Sequence, residues 1–210
     1  MNHLYEILAS LLEYPGDEWD TLLERSGEWV SIKEPSVAAQ FGGFRDRVLE
    51  LPTSKLQELY TQTFDLNPVC TLDIGYHLFG ENYKRGELLA GLRKTEAPYE
   101  LGQAHQLPDY LPVLLRLLAR LEDSELRQSL IGEVLLPALS KMLTALTQSD
   151  NPYRDLIDVI STALKDAVPA GNNARSRLVR AESTPELYRI SSNGRSVEGC
   201  DERTRQSLKV

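Results

Sequence analysis

The sequence predicts an all-α fold, a single globular bundle of about eight helices followed by a polar C-terminal extension. Through most of the first 168 residues, apolar side chains recur at the three- and four-residue spacing of an amphipathic helix. No segment has the alternating β-branched pattern that is typical of a strand. Hydrophobic residues make up 41% and charged residues 26% of the 210 residues, a composition that favours a folded domain over a disordered chain.

Apolar spacing and end signals place the helices in order along the chain. The first helix has its apolar face from Leu4 to Leu12 and ends at Pro15 and Gly16. Later helices are predicted over about 19–30, 35–51, 82–94, 111–121 and 123–148. A last helix follows Asn151 and Pro152, which form an N-cap and first-turn pair.

A separate helix is predicted between the third helix and residue 66. Ser54 and Gln57 form a capping box, which predicts a helix start, and Tyr60 and Phe64 lie on one face of that helix. Asn67–Pro68 ends it.

Glycine and proline modify the remaining elements. Gly75 and Gly80 could each end a short helix in the irregular stretch over 66–81. The helix over 111–121 is apolar on nearly all sides, which predicts a place at the centre of the bundle. Pro137 predicts a bend in the long helix after Asp123.

Charge divides the chain into an acidic domain over 1–168 and a tail over 169–210. The net charge is −8; the tail carries eight Lys or Arg against five Asp or Glu, which leaves −11 on the domain. Because the tail is polar and lacks apolar periodicity, we expect a mobile or loosely docked extension. The acidic balance disfavours a nucleic-acid binder and favours basic or apolar partners.

The sequence predicts a cytoplasmic protein. The N-terminal stretch lacks a basic region and carries Glu6 and Glu13, so that no secretory signal is expected. The most apolar stretch, over 107–121, is interrupted by prolines and charges, so that no membrane insertion is expected. Cys70 and Cys200 lie far apart and do not form a disulfide framework.

The sequence predicts no resident cofactor, because the phosphate-binding, hydrolase, zinc-protease and di-iron motifs are all absent. The best enzyme hypothesis is a small metal-dependent helical enzyme that uses Asp73, His77 and Glu81, which would share a face if one continuous helix held them. The alternative is an ordinary solvated face. Cys70 has no basic neighbour in sequence, so we expect a buried small side chain rather than a nucleophile.

The segment over 107–112 is the best candidate for a binding surface. In the simpler interpretation it is a helix start, with Pro108 in the first turn and Asp109 favoured by the helix dipole. In the functional interpretation Asp109 is an acidic anchor beside an apolar groove, which receives a helical peptide with a basic end and an apolar face. Tyr60 and Phe64 fit either a core or the lining of such a groove.

Three sequence blocks, at 60–65, at 77–89 and at 107–112, come in the order and spacing of one family. With them, the chain over about 1–168 resembles the NarJ-type assembly chaperones of respiratory nitrate reductase. These proteins are also called the nitrate reductase delta subunit and belong to the wider TorD-like group for molybdenum enzymes. Where many relatives have a histidine after the aspartate of the third block, this chain has Tyr110, which cannot supply a titratable imidazole but can still make an aromatic contact.

The resemblance implies a cytoplasmic chaperone without catalytic activity. It would bind the N-terminal peptide of an apo molybdenum oxidoreductase catalytic subunit and keep that subunit open for molybdenum-cofactor and iron–sulfur insertion before membrane docking. Cofactor-insertion proteins are a second expected class of partner. The predicted peptide-binding residues are Tyr60, Phe64, Asp65, Phe79, Glu81, Arg85, Pro108, Asp109, Tyr110, Leu111 and Leu114. A general helical adaptor with an unrelated client is a third hypothesis beside the chaperone and the metal enzyme.

Overall fold

The computed structural model describes residues 2–66, 70–101 and 105–168. Over these ranges the chain forms helices and no strand, which confirms the predicted all-α fold. The predicted tail over 169–210 and the helix-ending pair Asn67–Pro68 lie outside the described residues. One isolated antiparallel bridge joins Asp73 to Tyr110 in the described part of the chain.

Ten α-helical segments, α1 to α10 in chain order, make up the described structure. Their bounds are Asn2–Leu11, Trp19–Lys33, Pro35–Leu49, Thr53–Tyr60, Ile74–Phe79, Tyr83–Glu96, Leu111–Arg120, Ser124–Ser129, Leu136–Leu146 and Tyr153–Asp166. A π-helical turn, Thr61–Asp65, continues α4, and a second π turn, Leu130–Leu135, joins α8 to α9. The short helix α5 comes from the stretch that the sequence pattern left irregular.

The helix starts agree with their predicted signals in part. Asn151 accepts a hydrogen bond from the Tyr153 amide at 3.0 Å, so the predicted cap of the last helix is confirmed. The predicted capping box is wrong: α4 begins at Thr53 after Pro52, and no side chain caps it. The Gln57 amide instead donates to the Pro15 carbonyl at 2.8 Å, which ties α4 to the turn after α1.

Of the two glycines predicted as helix ends, one has that role. Gly80 follows α5 with a φ of +60°, a conformation that glycine adopts without the steric cost of a side chain. Gly75 lies inside α5 and is buried. The reason for a glycine there is a close approach by Asp109, described below.

The helix α7 lies at the centre of the bundle, as its sequence predicts. Its side chains from Leu111 to Leu115, together with Leu117, Leu118 and Ala119, are buried. It packs mainly on α1, while α10 packs on α3 and α9. The burial of so many leucines on one helix supplies much of the apolar area that stabilises the fold.

The helix over Ser124–Leu146 is long and apolar enough to cross a bilayer by length and composition, which the sequence interpretation did not anticipate. In its most apolar window, 44% of the helix is buried inside the protein. A helix that packs into a protein core passes the same test. Pro137, which lacks an amide proton, sits in the first turn of α9, and the preceding turn is wound as a π helix.

A cluster of aromatic rings joins α4 and its π turn to α10. The ring centroids of Phe64 and Tyr153 are 4.9 Å apart, and those of Tyr60 and Tyr153 are 5.9 Å apart. Tyr60 and Phe64 also contact each other at 5.1 Å. These edge-to-face contacts fix one end of α4 against the bundle, just below the cleft described next.

Candidate functional site

A surface cleft runs between the end of α1, the π turn after α4 and the start of α7. It consists of two depressions, of about 340 and 280 Å³, which share Asp65, Gln106 and Tyr110 as lining residues. We call their combination the Tyr110 cleft. The first depression is also lined by Glu13, Tyr14, Tyr60, Val113 and Arg116, and the second by Phe64, Thr71, Leu72 and Asp73.

Large apolar side chains are exposed around the Tyr110 cleft. Tyr14, which lines the cleft, is 54% exposed. Leu66 and Leu107 follow the lining residues Asp65 and Gln106 in the chain and are 72% and 44% exposed. These three make up half of the large apolar side chains that stay exposed in the described ranges. Apolar exposure concentrated at the edge of a cleft is typical of a surface that binds a partner.

The tyrosines of the cleft form a short relay of hydrogen bonds. The Tyr60 hydroxyl donates its one proton to the Leu12 carbonyl at 3.0 Å. The Tyr110 hydroxyl, 3.4 Å from that of Tyr60, therefore acts as the donor of their contact. Its oxygen keeps lone pairs that can accept a further hydrogen bond. Burial raises the pKa of Tyr110 and of Tyr60, so both hydroxyls stay protonated near neutral pH.

The charges that line the cleft are mainly negative. Glu13, Asp65 and Asp73 contribute three carboxylates, against one guanidinium from Arg116. Arg116 binds Glu13 at 2.5 Å and lies 3.8 Å from a Glu6 oxygen, so its charge is already balanced within the protein. The cleft therefore favours a cationic or apolar ligand over an anionic one.

Asp109 does not lie at the mouth of a groove, as the sequence interpretation expected. None of its side chain is exposed, and it precedes α7 rather than occupying its first turn. Its Oδ2 atom accepts from the Gly75 amide at 3.1 Å and from Arg85 Nε at 2.9 Å. Two prolines and an aspartate near a helix start gave no signal of a distant arginine, which explains the error.

Arg85 joins two carboxylates on opposite sides of the isolated bridge. Besides Asp109 it binds Asp73 Oδ2 at 3.1 Å, and its guanidinium lies 5.9 Å from the Tyr76 ring centroid. Burial alone would lower the pKa of Arg85, but the hydrogen bonds and charges of the two aspartates raise it. Burial and the Asp109 charge raise the pKa of Asp73. Arg85 thus remains a cation that both aspartates share.

This ion cluster fixes the position of Tyr110. The Ile74 amide donates to the Asp109 carbonyl and the Leu111 amide to the Leu72 carbonyl, each at 2.9 Å. These two bonds enclose the bridge between Asp73 and Tyr110, and Arg85 clamps the side chains on either side of it. The arginine and the buried aspartate therefore act on the cleft by positioning Tyr110.

The predicted site residues fall into three groups. Tyr60, Phe64, Asp65 and Tyr110 line the cleft. Pro108, Asp109, Leu111 and Leu114 are buried beneath it, and Arg85 lies beside it. Phe79 is half-buried at the end of α5, and Glu81 is exposed just beyond that helix; neither lines the cleft.

Sequence reasoning missed several lining residues, mainly Glu13, Tyr14, Gln106 and Arg116. Tyr14 directly precedes Pro15 and Gly16, which end the first helix, and nothing in that sequence context indicated a cleft. Glu13 and Arg116 are 103 positions apart and meet only through the packing of α1 on α7. No local pattern could have joined them.

The residues of the metal hypothesis are not brought together. Asp73 precedes α5 and binds Arg85, His77 Nε2 donates to the Thr71 carbonyl at 2.7 Å, and Glu81 follows the helix end at Gly80. The continuous helix that this hypothesis requires does not form. Within the described ranges no three potential metal ligands are grouped. Cys70 is buried, as expected, and burial raises the pKa of its thiol to about 12, which keeps it unreactive.

The chain is similar to curated assembly chaperones, although no family model matches it. It is 27% identical over 167 residues to the "Probable nitrate reductase molybdenum cofactor assembly chaperone NarJ" of Bacillus subtilis (strain 168), covering 77% of this chain and 88% of that protein. Identity is 26% over 185 residues to the "Nitrate reductase molybdenum cofactor assembly chaperone NarJ" of Escherichia coli (strain K12), covering 86% and 78%. The corresponding protein NarW of that organism is 26% identical over 180 residues, covering 83% and 75%. The similarity agrees with the resemblance seen in the three sequence blocks.

We expect Gly75→Ala to destabilise the fold. An added Cβ atom would lie 2.6 Å from Asp109 Oδ2, a buried atom already fixed by Arg85. The free energy of unfolding should fall by about 1–3 kcal/mol. Gly86→Ala, in α6 with open space around its Cα, is the control and should stabilise by about 0.5–1 kcal/mol. Urea denaturation measures both; equal effects of the two substitutions would contradict the close approach at Gly75.

We expect His77 to make the fold less stable as the pH falls. Burial lowers the pKa of His77 in the folded state, while the unfolded chain has a histidine that titrates near its ordinary value of about 6.5. The unfolded state therefore takes up a proton that the folded state excludes, and the free energy of unfolding falls between about pH 7.5 and 5.5.

His77→Gln, whose amide can still donate to the Thr71 carbonyl, should reduce this pH dependence. His105→Gln alters an exposed histidine and should leave the pH dependence of stability unchanged. Urea denaturation across the pH range compares the slopes, and a slope in His77→Gln equal to that of the wild type would refute the assignment.

Proposed function

We propose that this chain is a cytoplasmic assembly chaperone for a molybdenum-containing oxidoreductase of the nitrate reductase type. It binds the N-terminal segment of the immature catalytic subunit in the Tyr110 cleft. While bound, the subunit stays accessible for molybdenum-cofactor and iron–sulfur insertion before it docks at the membrane. Cofactor-insertion proteins are further partners in this proposal.

The observation that carries the proposal is the exposure of leucines beside the Tyr110 cleft. Leu66 and Leu107 are exposed, although most of the other leucines in the described ranges are buried. When a partner covers an exposed leucine, the free energy of the complex falls by about 25 cal/mol per Å² of buried apolar surface, before ordering costs are subtracted. A helical peptide with an apolar face fits such a rim.

The similarity to curated proteins supports the identity of the client. The relatives span most of the chain and carry names that specify assembly of the nitrate reductase molybdenum cofactor. Their names describe chaperones and not catalysts, which agrees with a binding role for the cleft. No feature of the described residues favours the metal-dependent alternative.

The proposed contact residues follow from their positions. Asp65 and Tyr110 line the cleft and would touch the peptide, while Tyr60 and Phe64, which are 4% and 3% exposed, would form its base. Leu111, Leu114 and Pro108 would support the floor, since all three are buried. Asp109 and Arg85 would hold Tyr110 in place.

The chaperone acts by linkage between binding and client maturation. A protein that binds only the unfinished form of its client stabilises that form by an amount set by its concentration and affinity. When the completed subunit withdraws its N-terminal segment, that advantage disappears and the chaperone dissociates. No covalent chemistry is required of the chain in this cycle.

We expect Leu66→Gln to weaken binding of a synthetic peptide that carries the N-terminal sequence of the nitrate reductase catalytic subunit from the same genome. Losing a leucine that the peptide covers should raise the dissociation constant about tenfold. Isothermal titration calorimetry measures the change. Because Leu66 is exposed, thermal stability should stay unchanged.

Ile32→Gln is the matched control. Ile32 is 74% exposed, close to the 72% of Leu66, but lies near the end of α2 and does not line the cleft. Its replacement should not change the affinity. If Leu66→Gln and Ile32→Gln bind the peptide with equal affinity, the cleft rim is excluded as the peptide site. Tight binding of an unrelated amphipathic peptide would favour a general adaptor.

A further inference from the structure

The first depression of the Tyr110 cleft, lined by tyrosines and carboxylates, carries an inference about what the client must present. Tyr14 and Tyr60 meet edge to face with ring centroids 5.5 Å apart, and Tyr110 lines the same space. Aromatic walls of this kind attract cations through the negative faces of their rings. The walls alone would equally accept an apolar side chain, so the polar groups decide between the two.

The polar groups of this depression are mainly acceptors. The Tyr110 hydroxyl donates inward to Tyr60, which donates to Leu12, so the Tyr110 oxygen offers lone pairs to a ligand. Arg116, the one cation that lines the space, is bound to Glu13 and also lies near Glu6. A ligand that brings hydrogen-bond donors and a positive charge would complement this arrangement.

Asp65 carries a negative charge that no neighbouring cation in the described ranges balances. It is exposed, lines both depressions, and no ion pair joins it to another described residue. Its charge contributes to raising the pKa values of both Tyr60 and Tyr110, after burial, so it acts on the same space that the rings enclose. Glu13, on the opposite chain segment, is already paired with Arg116, which leaves Asp65 as the unbalanced carboxylate of this depression.

We propose that Tyr14 and Tyr110, backed by the buried Tyr60, form with the exposed Asp65 a cage that binds one Lys or Arg side chain of the client segment. The apolar stem of that side chain lies against the rings of Tyr14 and Tyr110, and its charged end meets Asp65. The exposed leucines of the rim cover the neighbouring apolar face of the peptide. This inference rests on the proposed function and specifies the residue class by which the cleft selects its client.

The cage differs from the anchor that the sequence suggested. Asp109 is fully buried and paired with Arg85, so it has no free charge to offer a peptide. Asp65 is exposed and unpaired among the described residues, and therefore it takes the role of the acidic anchor.

The test is a double-mutant cycle between the protein and the peptide. The probe is the synthetic N-terminal peptide of the nitrate reductase catalytic subunit, beside versions in which each Arg becomes citrulline or each Lys becomes norleucine. Both replacements keep most of the side-chain length and remove the charge. Calorimetry with wild type and Asp65→Asn then measures whether the two charges act on each other.

We expect Asp65→Asn to weaken binding of the parent peptide about fivefold and to leave unchanged the affinity of the version that lacks the caged cation. The peptide version that binds wild type and Asp65→Asn equally well identifies whether the cage binds Lys or Arg. Tyr14→Leu should act in the same way, because leucine keeps an apolar wall but lacks an aromatic face.

Asp166→Asn is the matched control for the loss of one charge. Asp166 is exposed at the end of α10, about 20 Å along that helix from Tyr153, the residue that packs on Tyr60. Its replacement should leave all affinities unchanged.

The two proposals fail in different ways. Suppose that the parent peptide binds the wild type tightly. If Asp65→Asn then weakens the binding of every peptide version equally, or weakens none, the cage is refuted and the chaperone function stands. If the parent peptide does not bind the wild type, the proposed function fails and the cage falls with it.

Discussion

The ion cluster of Arg85, Asp73 and Asp109 is the constraint on which the cleft depends. A buried carboxylate is costly unless a cation and hydrogen bonds satisfy it, and Asp109 receives both from Arg85 and the Gly75 amide. Those contacts connect α5, α6 and the segment before α7. The bridge between Asp73 and Tyr110 lies inside this cluster, so the side chain of Tyr110 enters the cleft from a fixed backbone.

The same cleft combines a rigid base with an exposed apolar rim. Tyr60 and Phe64 pack on Tyr153 and are nearly inaccessible, while Leu66, one residue beyond the π turn, is exposed. A preformed base lowers the entropy cost of binding, because few protein groups must be ordered when the peptide arrives. In the proposed complex the exposed leucines would lower the free energy of binding, while they contribute little to the stability of the free protein.

The negative charge of the cleft results from the pairing of Arg116, the one cation among its described lining residues. Arg116 is balanced by Glu6 in α1 and by Glu13 just after that helix, so the negative charge of Asp65 is left without a partner among the described residues of the cleft. In the proposed complex the charge would set orientation and selectivity, while apolar burial would set most of the affinity. An acidic protein with an apolar rim is well suited to a client segment that is both basic and apolar.

The sequence by itself determined the helices and the centre of the bundle, because the 3.6-residue period and the leucines of α7 are local properties. It also indicated Tyr60, Phe64, Asp65 and Tyr110 as members of one site. The tertiary structure alone decided that Asp109 is buried and that Glu13 meets Arg116, since such pairs depend on contacts between segments 24 and 103 positions apart. Gly75 illustrates the difference: its sequence context suggested a helix end, whereas the structure explains it by a carboxylate that a side chain would strike.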